Sequence, residues 1–317
     1  MEYDVLGTPQ APTFGLDTFG DLEHGPDGTP VTHPEAIRQV VAEAVLADEV
    51  GLDFFGIGEH HRPDFAISAP DVVLAAIAGQ TARIRLGTSV TVLSSDDPIR
   101  VFQRFSTLDA VSGGRAEVTL GRGSFTESFP LFGLSLDDYE VLFSEKLDLL
   151  AQLLEERPVT WEGTTRPPLA GVQAYPRTAH GLPAWVGVGG TPESVVRAAS
   201  YGMPLVVAVI GGSPERFAPL VDLYHRALEH YGHATRPVSM HSPGQWPRPT
   251  TWPARRCTRT RPRRSPRSAP SGAGGRTRRR SSRRTPGPPG RCSSGRPRPW
   301  RRRSPGRCAP WDCRGSS

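Results

Sequence analysis

The clearest candidate for a binding site in this sequence combines the start of a predicted helix with an arginine. The segment Gly189–Ser194 runs through two glycines into Thr191, a favoured N-cap residue, and Pro192, a favoured first helical residue. Free backbone amides at such a helix start attract anions. Arg122 stands between two glycines at another predicted strand end, and a guanidinium beside a helix N-terminus suits a phosphate. The alternative is an ordinary helix cap with flexible glycines, and the residues alone leave both open.

A second cluster, Glu59–His61, also follows a short apolar run. Adjacent residues on an extended segment point in opposite directions, so we do not expect His60 and His61 to bind one metal ion together. Asp17 and Asp96–Asp97 follow other predicted strands and could supply carboxylates to a metal. Three interpretations of the histidines stay open: a metal ligand, a hydrogen-bonded structural residue, or an imidazole facing a pocket as proton donor or base, tuned near neutral pH.

These residues lie at the ends of strands in a chain of repeated strand–helix units. Such units imply a parallel sheet, and their number favours an α/β fold of the (β/α)8 TIM-barrel type. No Gly-x-Gly-x-x-Gly fingerprint opens the first unit, which disfavours an open doubly wound sheet. The chemistry of such a barrel lies where its strands end. The predicted strands cover residues 13–19, 54–58, 84–93, 116–120, 184–188 and 205–210, and a seventh begins at 238.

The composition of residues 245–317 is the opposite of what precedes it. This segment has 22 arginines, no lysine and one acidic residue, a formal charge of +21, whereas residues 1–244 have a formal charge of −15. It contains no Leu, Ile, Val, Met, Phe or Tyr and has 13 prolines, so we expect it to be disordered. We therefore divide the chain into an incomplete barrel domain, residues 1–244, truncated after about strand seven, and a disordered basic tail, residues 245–317.

Two hypotheses account for the tail. Arginine clusters at 278–280 and 301–303 would attract the phosphates of a nucleic acid, but the absence of lysine makes nucleic acid a disfavoured partner. An Arg-, Pro-, Gly- and Ser-rich composition is typical of a GC-rich gene read out of frame. We favour this second hypothesis, a frameshift near codon 245, and expect a corrected reading frame to restore about two strand–helix units.

The hydropathy of the sequence argues against a membrane-spanning protein. No apolar run approaches the roughly 20 residues that span a bilayer. Residues 1–10 contain Glu2 and Asp4 and lack the apolar core of a secretory signal. All four cysteines lie in the tail, so cysteine content does not identify the compartment. We expect a cytoplasmic protein with no membrane partner.

Four segments resemble the bacterial luciferase-like, flavin-dependent monooxygenase family, and most closely its FMN branch. They are FGIGEHHRPDF (55–65), RLGTSVTVLSSDDP (85–98), SGGRAEVTLGRGSFTESFPLF (112–132) and VGVGGTPESVVR (186–197). The resemblance extends from about Thr13 to Gly244. It implies a (β/α)8 barrel that binds reduced FMN and activates dioxygen, with a deazaflavin as the less favoured cofactor.

The resemblance also implies roles for individual residues. His60 matches the active-site histidine that follows the second strand. Arg122 matches the arginine that contacts the flavin phosphate, and Glu193 and Ser194 match the pair that holds it. Gly190 and Thr191 belong to the same helix start.

Ser89–Val90 matches the position of a non-prolyl cis peptide near the isoalloxazine ring. The family pattern continues for two more strand–helix units beyond Ser242, where this sequence departs from it.

The favoured function is therefore an FMN-dependent monooxygenase that uses dioxygen on a small organic substrate. A separate reductase is expected to supply reduced flavin, since no dinucleotide fingerprint is visible, and intact members of the family are expected to be homo-oligomers. One alternative is a non-catalytic remnant that binds flavin weakly or not at all. A second is a metal-dependent barrel hydrolase that uses His60 and the strand-end aspartates.

Overall fold

The computed structural model describes residues 11–23, 28–123 and 125–244. The predicted disordered tail and the proposed frameshift at codon 245 lie outside the described residues. Ten strands and seven α-helices are present in the described part of the chain. The strands are β1 Gly15–Thr18, β2 Phe54–Ile57, β3 Arg85–Thr88, β4 Thr91–Val92, β5 Val118–Gly121, β6 Val159–Trp161, β7 Leu169–Val172, β8 Ala184–Val188, β9 Leu205–Ala208 and β10 Val238–His241. The helices are α1 His33–Glu49, α2 Pro70–Ala78, α3 Pro98–Ser112, α4 Ser128–Leu131, α5 Tyr139–Leu154, α6 Pro192–Ser200 and α7 Ala218–His230.

The parallel strands follow one another in chain order around the barrel. One sheet has the order β1-β2-β3 and the other has the order β4-β5-β8-β9-β10, with every pairing parallel. A parallel bridge between Leu86 and Ala116 joins the two sheets. Strands that alternate with helices in this order confirm the predicted α/β barrel architecture.

Alternation along the strands separates the core from the barrel interior. In β8, Ala184, Val186 and Val188 are buried, whereas Trp185 and Gly187 are partly exposed. The buried face packs against the helices in a continuous apolar core. The other face of each strand lines the interior of the barrel. Residues of this face at the carboxyl ends of the strands therefore lie at one end of the barrel.

Two features of the strands differ from the prediction. The strand expected over residues 84–93 is divided into β3 and β4 by a cis peptide bond between Ser89 and Val90. The segment between α5 and β8 contains an antiparallel hairpin, β6–β7, that was not predicted. Trp161 of this hairpin donates its indole N–H to Asp148 of α5 at 2.9 Å, which holds the hairpin against the outside of the barrel. The hairpin strands are three and four residues long, too short for a clear period.

A buried carboxylate fixes the turn that leads into β3. Asp48, near the end of α1, accepts hydrogen bonds from the backbone amides of Ala82 (3.0 Å), Arg83 (3.0 Å) and Ile84 (2.7 Å). Burial alone would raise the pKa of Asp48, but these amides outweigh it and hold the pKa below its usual value. The ionised carboxylate therefore stabilises the folded chain.

Replacing Asp48 by asparagine is expected to destabilise the fold by about 1–3 kcal/mol, because an amide nitrogen cannot accept these hydrogen bonds. A lowered pKa contributes stability that is present above the unfolded-state pKa and is lost as the pH falls through the folded-state value. Chemical denaturation at several pH values measures both effects. The stability of Asp48→Asn should fall less on acidification than that of the wild type, with Asp222→Asn on the exposed face of α7 as the control. Equal acid sensitivity of Asp48→Asn and wild type would contradict this account.

No helix in the described ranges is long and apolar enough to cross a bilayer.

Candidate active site

An open cleft lies at the carboxyl ends of β2, β4 and β5. Its lining includes His60, His61, Ser89, Val90 and Phe125, and its empty volume of about 420 Å³ includes open solvent at its mouth. Segments far apart in the sequence therefore meet where a parallel barrel collects its strand ends.

His60 lines the cleft among aromatic rings. Its ring stacks on Phe65 with the centroids 4.2 Å apart and meets the edges of Phe19 and Phe125 at 5.0 and 5.2 Å. Burial lowers the pKa of His60 to about 4. The prediction of a pKa near neutrality is wrong in this structure, because the ring is desolvated and the described residues place no hydrogen-bonding side chain on it. At neutral pH His60 is an uncharged imidazole.

His61 also lines the cleft, next to His60, and it contacts Glu59. Its Nε2 atom lies 2.9 Å from Glu59 Oε1, and the other oxygen of Glu59 accepts the backbone N–H of Val92 at 3.0 Å. Glu59 thus ties the end of β2 to β4.

The strand-end aspartates do not gather around His60. Asp96 pairs with Arg104, and Asp97 caps α3 by accepting the amide of Ile99 at 2.9 Å. Within the described ranges, no group of three or more His, Cys, Asp or Glu residues is placed to hold a metal ion. The metal site considered from the sequence is therefore not assembled by these residues, since capping and ion pairing already engage the carboxylates.

The cis peptide predicted at Ser89–Val90 is confirmed. Val90 fits between two strands that carry glycine at the contact. A Cβ atom at Gly121 would lie 2.4 Å from Val90 Cγ2, and one at Gly187 would lie 3.0 Å from Val90 Cγ1. Larger residues at these positions would push Val90 aside, so β5 and β8 are shaped to present Ser89 and Val90 to the cleft.

Arg122 and the start of α6 meet, as the sequence predicted for a phosphate site. Arg122 donates to Ser194 Oγ at 2.9 Å, and Ser194 Oγ lies 2.7 Å from Thr191 Oγ1. Gly190 takes a φ of 123°, which a residue with a side chain would rarely adopt. We call Arg122, Gly190, Thr191 and Ser194 the anion cluster. Glu193 lies in the first turn of α6 with its side chain exposed.

Glu140 was not anticipated, and it engages this cluster directly. Its carboxylate pairs with Arg122 and also accepts from Arg197 of α6 at 3.1 Å. Tyr139 lies beneath Arg122, with its ring centroid 5.3 Å from the guanidinium carbon. The sequence does show an acidic residue at the start of α5. An acidic residue in that position usually stabilises the helix dipole, so it does not by itself indicate a contact with Arg122.

His241, the last residue of β10, is the second site residue that sequence reasoning missed. Its Nδ1 atom lies 2.5 Å from Asp17 Oδ2 and 3.5 Å from Ser89 Oγ. Its ring centroid is 5.7 Å from that of Phe19. Only the inward-facing position at a strand end could have indicated it.

The model of the luciferase-like monooxygenase family matches residues 19–243. This chain belongs to that family. The luciferase-like assignment accounts for the barrel, for the cleft at its strand ends and for the motifs at 55–65 and 186–197 that build it.

Two relatives show how similar other members are. The 4-hydroxyprotoasukamycin monooxygenase of Streptomyces nodosus subsp. asukaensis is 34% identical over 161 residues, which is 49% of this chain and 43% of that protein. Monooxygenase RslO1 from Streptomyces bottropensis is similar in structure, with a TM-score of 0.65 and 26% identity over 73% of this chain and 70% of that one. This luciferase-like chain spans about half the length of the curated relatives it matches.

Solved structures with the same fold contain FMN or the deazaflavin F420. The oxygenating constituent of 3,6-diketocamphane monooxygenase from Pseudomonas putida was solved with FMN (TM-score 0.60, 19% identity, 71% of this chain and 64% of that one). An F420-dependent secondary alcohol dehydrogenase was solved with an F420–acetone adduct (TM-score 0.60, 21% identity, 72% and 68%). At these identities the likeness extends to the fold alone.

Proposed function

We propose that this chain binds reduced FMN and acts as a monooxygenase on a small organic substrate with dioxygen. The observation that carries the proposal is the anion cluster beside the cleft. A guanidinium, two hydroxyl groups and the N-terminal end of α6 lie together, and this donor set fits a phosphate ester. When bound, reduced flavin supplies the electrons that activate dioxygen.

The roles of the chain's own residues follow from their surroundings. Arg122, Thr191 and Ser194 would hold the phosphate, with Gly190 leaving the backbone open and Glu193 near the same helix start. Ser89 and Val90 would support the ring system. The aromatic side chains around His60 exclude water, and a neutral His60 can donate or accept one hydrogen bond without introducing charge.

The proposal extends to the partners of the reaction. A separate reductase would supply reduced flavin, and the enzyme would be a homo-oligomer. Titration with FMN, followed by quenching of flavin fluorescence, is the direct test. FMN binding without turnover on any small substrate would favour the non-catalytic remnant, and no FMN binding at all would overturn the proposal.

Glu140 is expected to compete with the phosphate for Arg122. Both are anions, and the carboxylate already engages two arginines. Removing its charge in Glu140→Gln should therefore tighten FMN binding, by up to about fivefold, because exposed ion pairs contribute about 0–1 kcal/mol.

The control is Glu229→Gln on the exposed face of α7, which should bind FMN like the wild type. Weaker binding by Glu140→Gln would show instead that the carboxylate orients Arg122 for the phosphate.

A further inference from the structure

A carboxylate and an imidazole meet beside the cleft, on the first and last parallel strands of the described barrel. Asp17 Oδ2 and His241 Nδ1 are 2.5 Å apart, and the two side chains are only 20% and 14% exposed. A charge-assisted hydrogen bond shielded from water in this way holds the ring in one orientation. Ser89 lines the cleft, and its Oγ atom lies 3.5 Å from the same Nδ1 atom, so the pair adjoins the cleft through Ser89.

The contact determines which nitrogen carries the proton. An ionised carboxylate only accepts hydrogen bonds, so Nδ1 carries the hydrogen and Nε2 of the neutral ring has the lone pair. Within the described ranges, no group hydrogen-bonds His241 Nε2. This nitrogen can therefore take a proton from a bound molecule, and Asp17 then balances the positive charge on the ring.

The position of Asp17 depends on a glycine in the neighbouring strand. A Cβ atom at Gly56 would lie 1.9 Å from Asp17 Oδ1, so any side chain there would displace the carboxylate. Asp17 Oδ1 itself is buried and lacks a hydrogen-bond partner among the described residues. The strand pairing of β1 with β2 therefore places this carboxylate where only a glycine partner allows it.

Two imidazoles flank Phe19, and their surroundings differ. His60 has aromatic neighbours, whereas His241 has a carboxylate. Phe125 lines the cleft and packs with Phe65, which in turn packs with Phe19, and an aromatic wall of this kind favours an aromatic ring.

We propose that Asp17 and His241 form an acid–base pair that removes the proton from the hydroxyl group of a small aromatic substrate in the cleft. The O–H bond breaks, its proton goes to His241 Nε2, and the electron pair stays on the substrate oxygen. The resulting aryl oxide is more electron-rich than the phenol and is easier to oxygenate. The inference thus rests on the proposed function for the oxidation that follows, but the proton transfer itself needs no flavin.

para-Nitrophenol tests the pair without cofactor, because its ionised form is yellow. The full chain is mixed with the probe at a pH at which the free phenol is mainly protonated, and the phenolate absorbance is followed. The wild type is expected to generate bound phenolate. His241→Gln should abolish this signal, and Asp17→Asn and Gly56→Ala should bind phenolate roughly tenfold more weakly, the scale of one charged hydrogen bond. The matched control is His225→Gln on α7, which should behave like the wild type.

A second measurement covers variants that fold poorly. Nitrogen-15 NMR of labelled histidine should show His241 protonated at Nδ1 in the wild type, with this tautomer preference lost in Asp17→Asn. The absence of a phenolate signal in the wild type, an undiminished signal in His241→Gln, or an unchanged tautomer in Asp17→Asn would each overturn the proposal. FMN binding measured on the same samples separates these failures from a failure of the proposed flavin function.

Discussion

Replacing Arg122 by alanine is expected to weaken FMN binding by roughly 1.5–3 kcal/mol, or about 10- to 150-fold. Arg122 supplies the only guanidinium that hydrogen-bonds Ser194 in the described part of the chain, and a phosphate at the start of α6 would depend on its charge. Fluorescence titration of the wild type and Arg122→Ala with FMN measures the difference.

Riboflavin provides the decisive control for Arg122, because it has the same ring system without the phosphate. Arg122→Ala should bind riboflavin as the wild type does. Arg100→Ala on α3, whose guanidinium contacts only Gln103 among the described side chains, should leave both affinities unchanged. If Arg122→Ala weakened FMN and riboflavin binding equally, Arg122 would act on the flavin ring system or on folding rather than on the phosphate. If the FMN affinity did not change, Arg122 would not bind the phosphate.

The His60→Ala substitution is expected to reduce turnover by roughly 10²- to 10⁴-fold with little change in FMN affinity. The imidazole lines the cleft at the centre of the aromatic cluster, and alanine removes both its hydrogen-bonding atoms and the surface that excludes water. Turnover is measured with photoreduced FMN and a panel of small aldehydes, ketones and phenols, as product carrying one added oxygen in mass spectrometry. His225→Ala is the matched control.

The pKa of His60 adds a separate signature. Because burial lowers it from 6.5 to about 4, the unfolded chain binds a proton that the folded chain excludes, and stability falls as the pH drops between these values. His60→Ala should flatten that part of the stability profile. Near-normal turnover in His60→Ala would show that His60 has only a structural role, and His61 would then be the next candidate for the catalytic histidine.

The strand–helix units were predictable because each is a local pattern. The helix α6 was expected over 192–201 and lies at Pro192–Ser200, since Thr191 and Pro192 mark its start in the sequence itself. The hairpin β6–β7 was missed because its strands are too short for alternation to show. Tertiary contact with Asp148 of α5, rather than local preference, holds it.

In the candidate site, too, the contacts that depend on local patterns were predictable and those that depend on distant partners were not. The meeting of Arg122 with Ser194 followed from a glycine-flanked arginine and a capped helix at adjacent strand ends. The roles of Glu140 and His241 did not follow, because each depends on a partner distant in sequence. The pKa of His60 was misjudged because desolvation by Phe19, Phe65 and Phe125 depends on the packing of separate loops.

The contact between Asp17 and His241 has a consequence for the order of events during synthesis. The two residues are 224 positions apart, so the ribosome must release nearly the whole described barrel before they can meet. The helix start at Thr191 and the strand end at Arg122 emerge earlier and are separated by a shorter loop. The contact between Asp17 and His241 therefore forms last, and a chain stalled before β10 would contain the anion cluster without this contact.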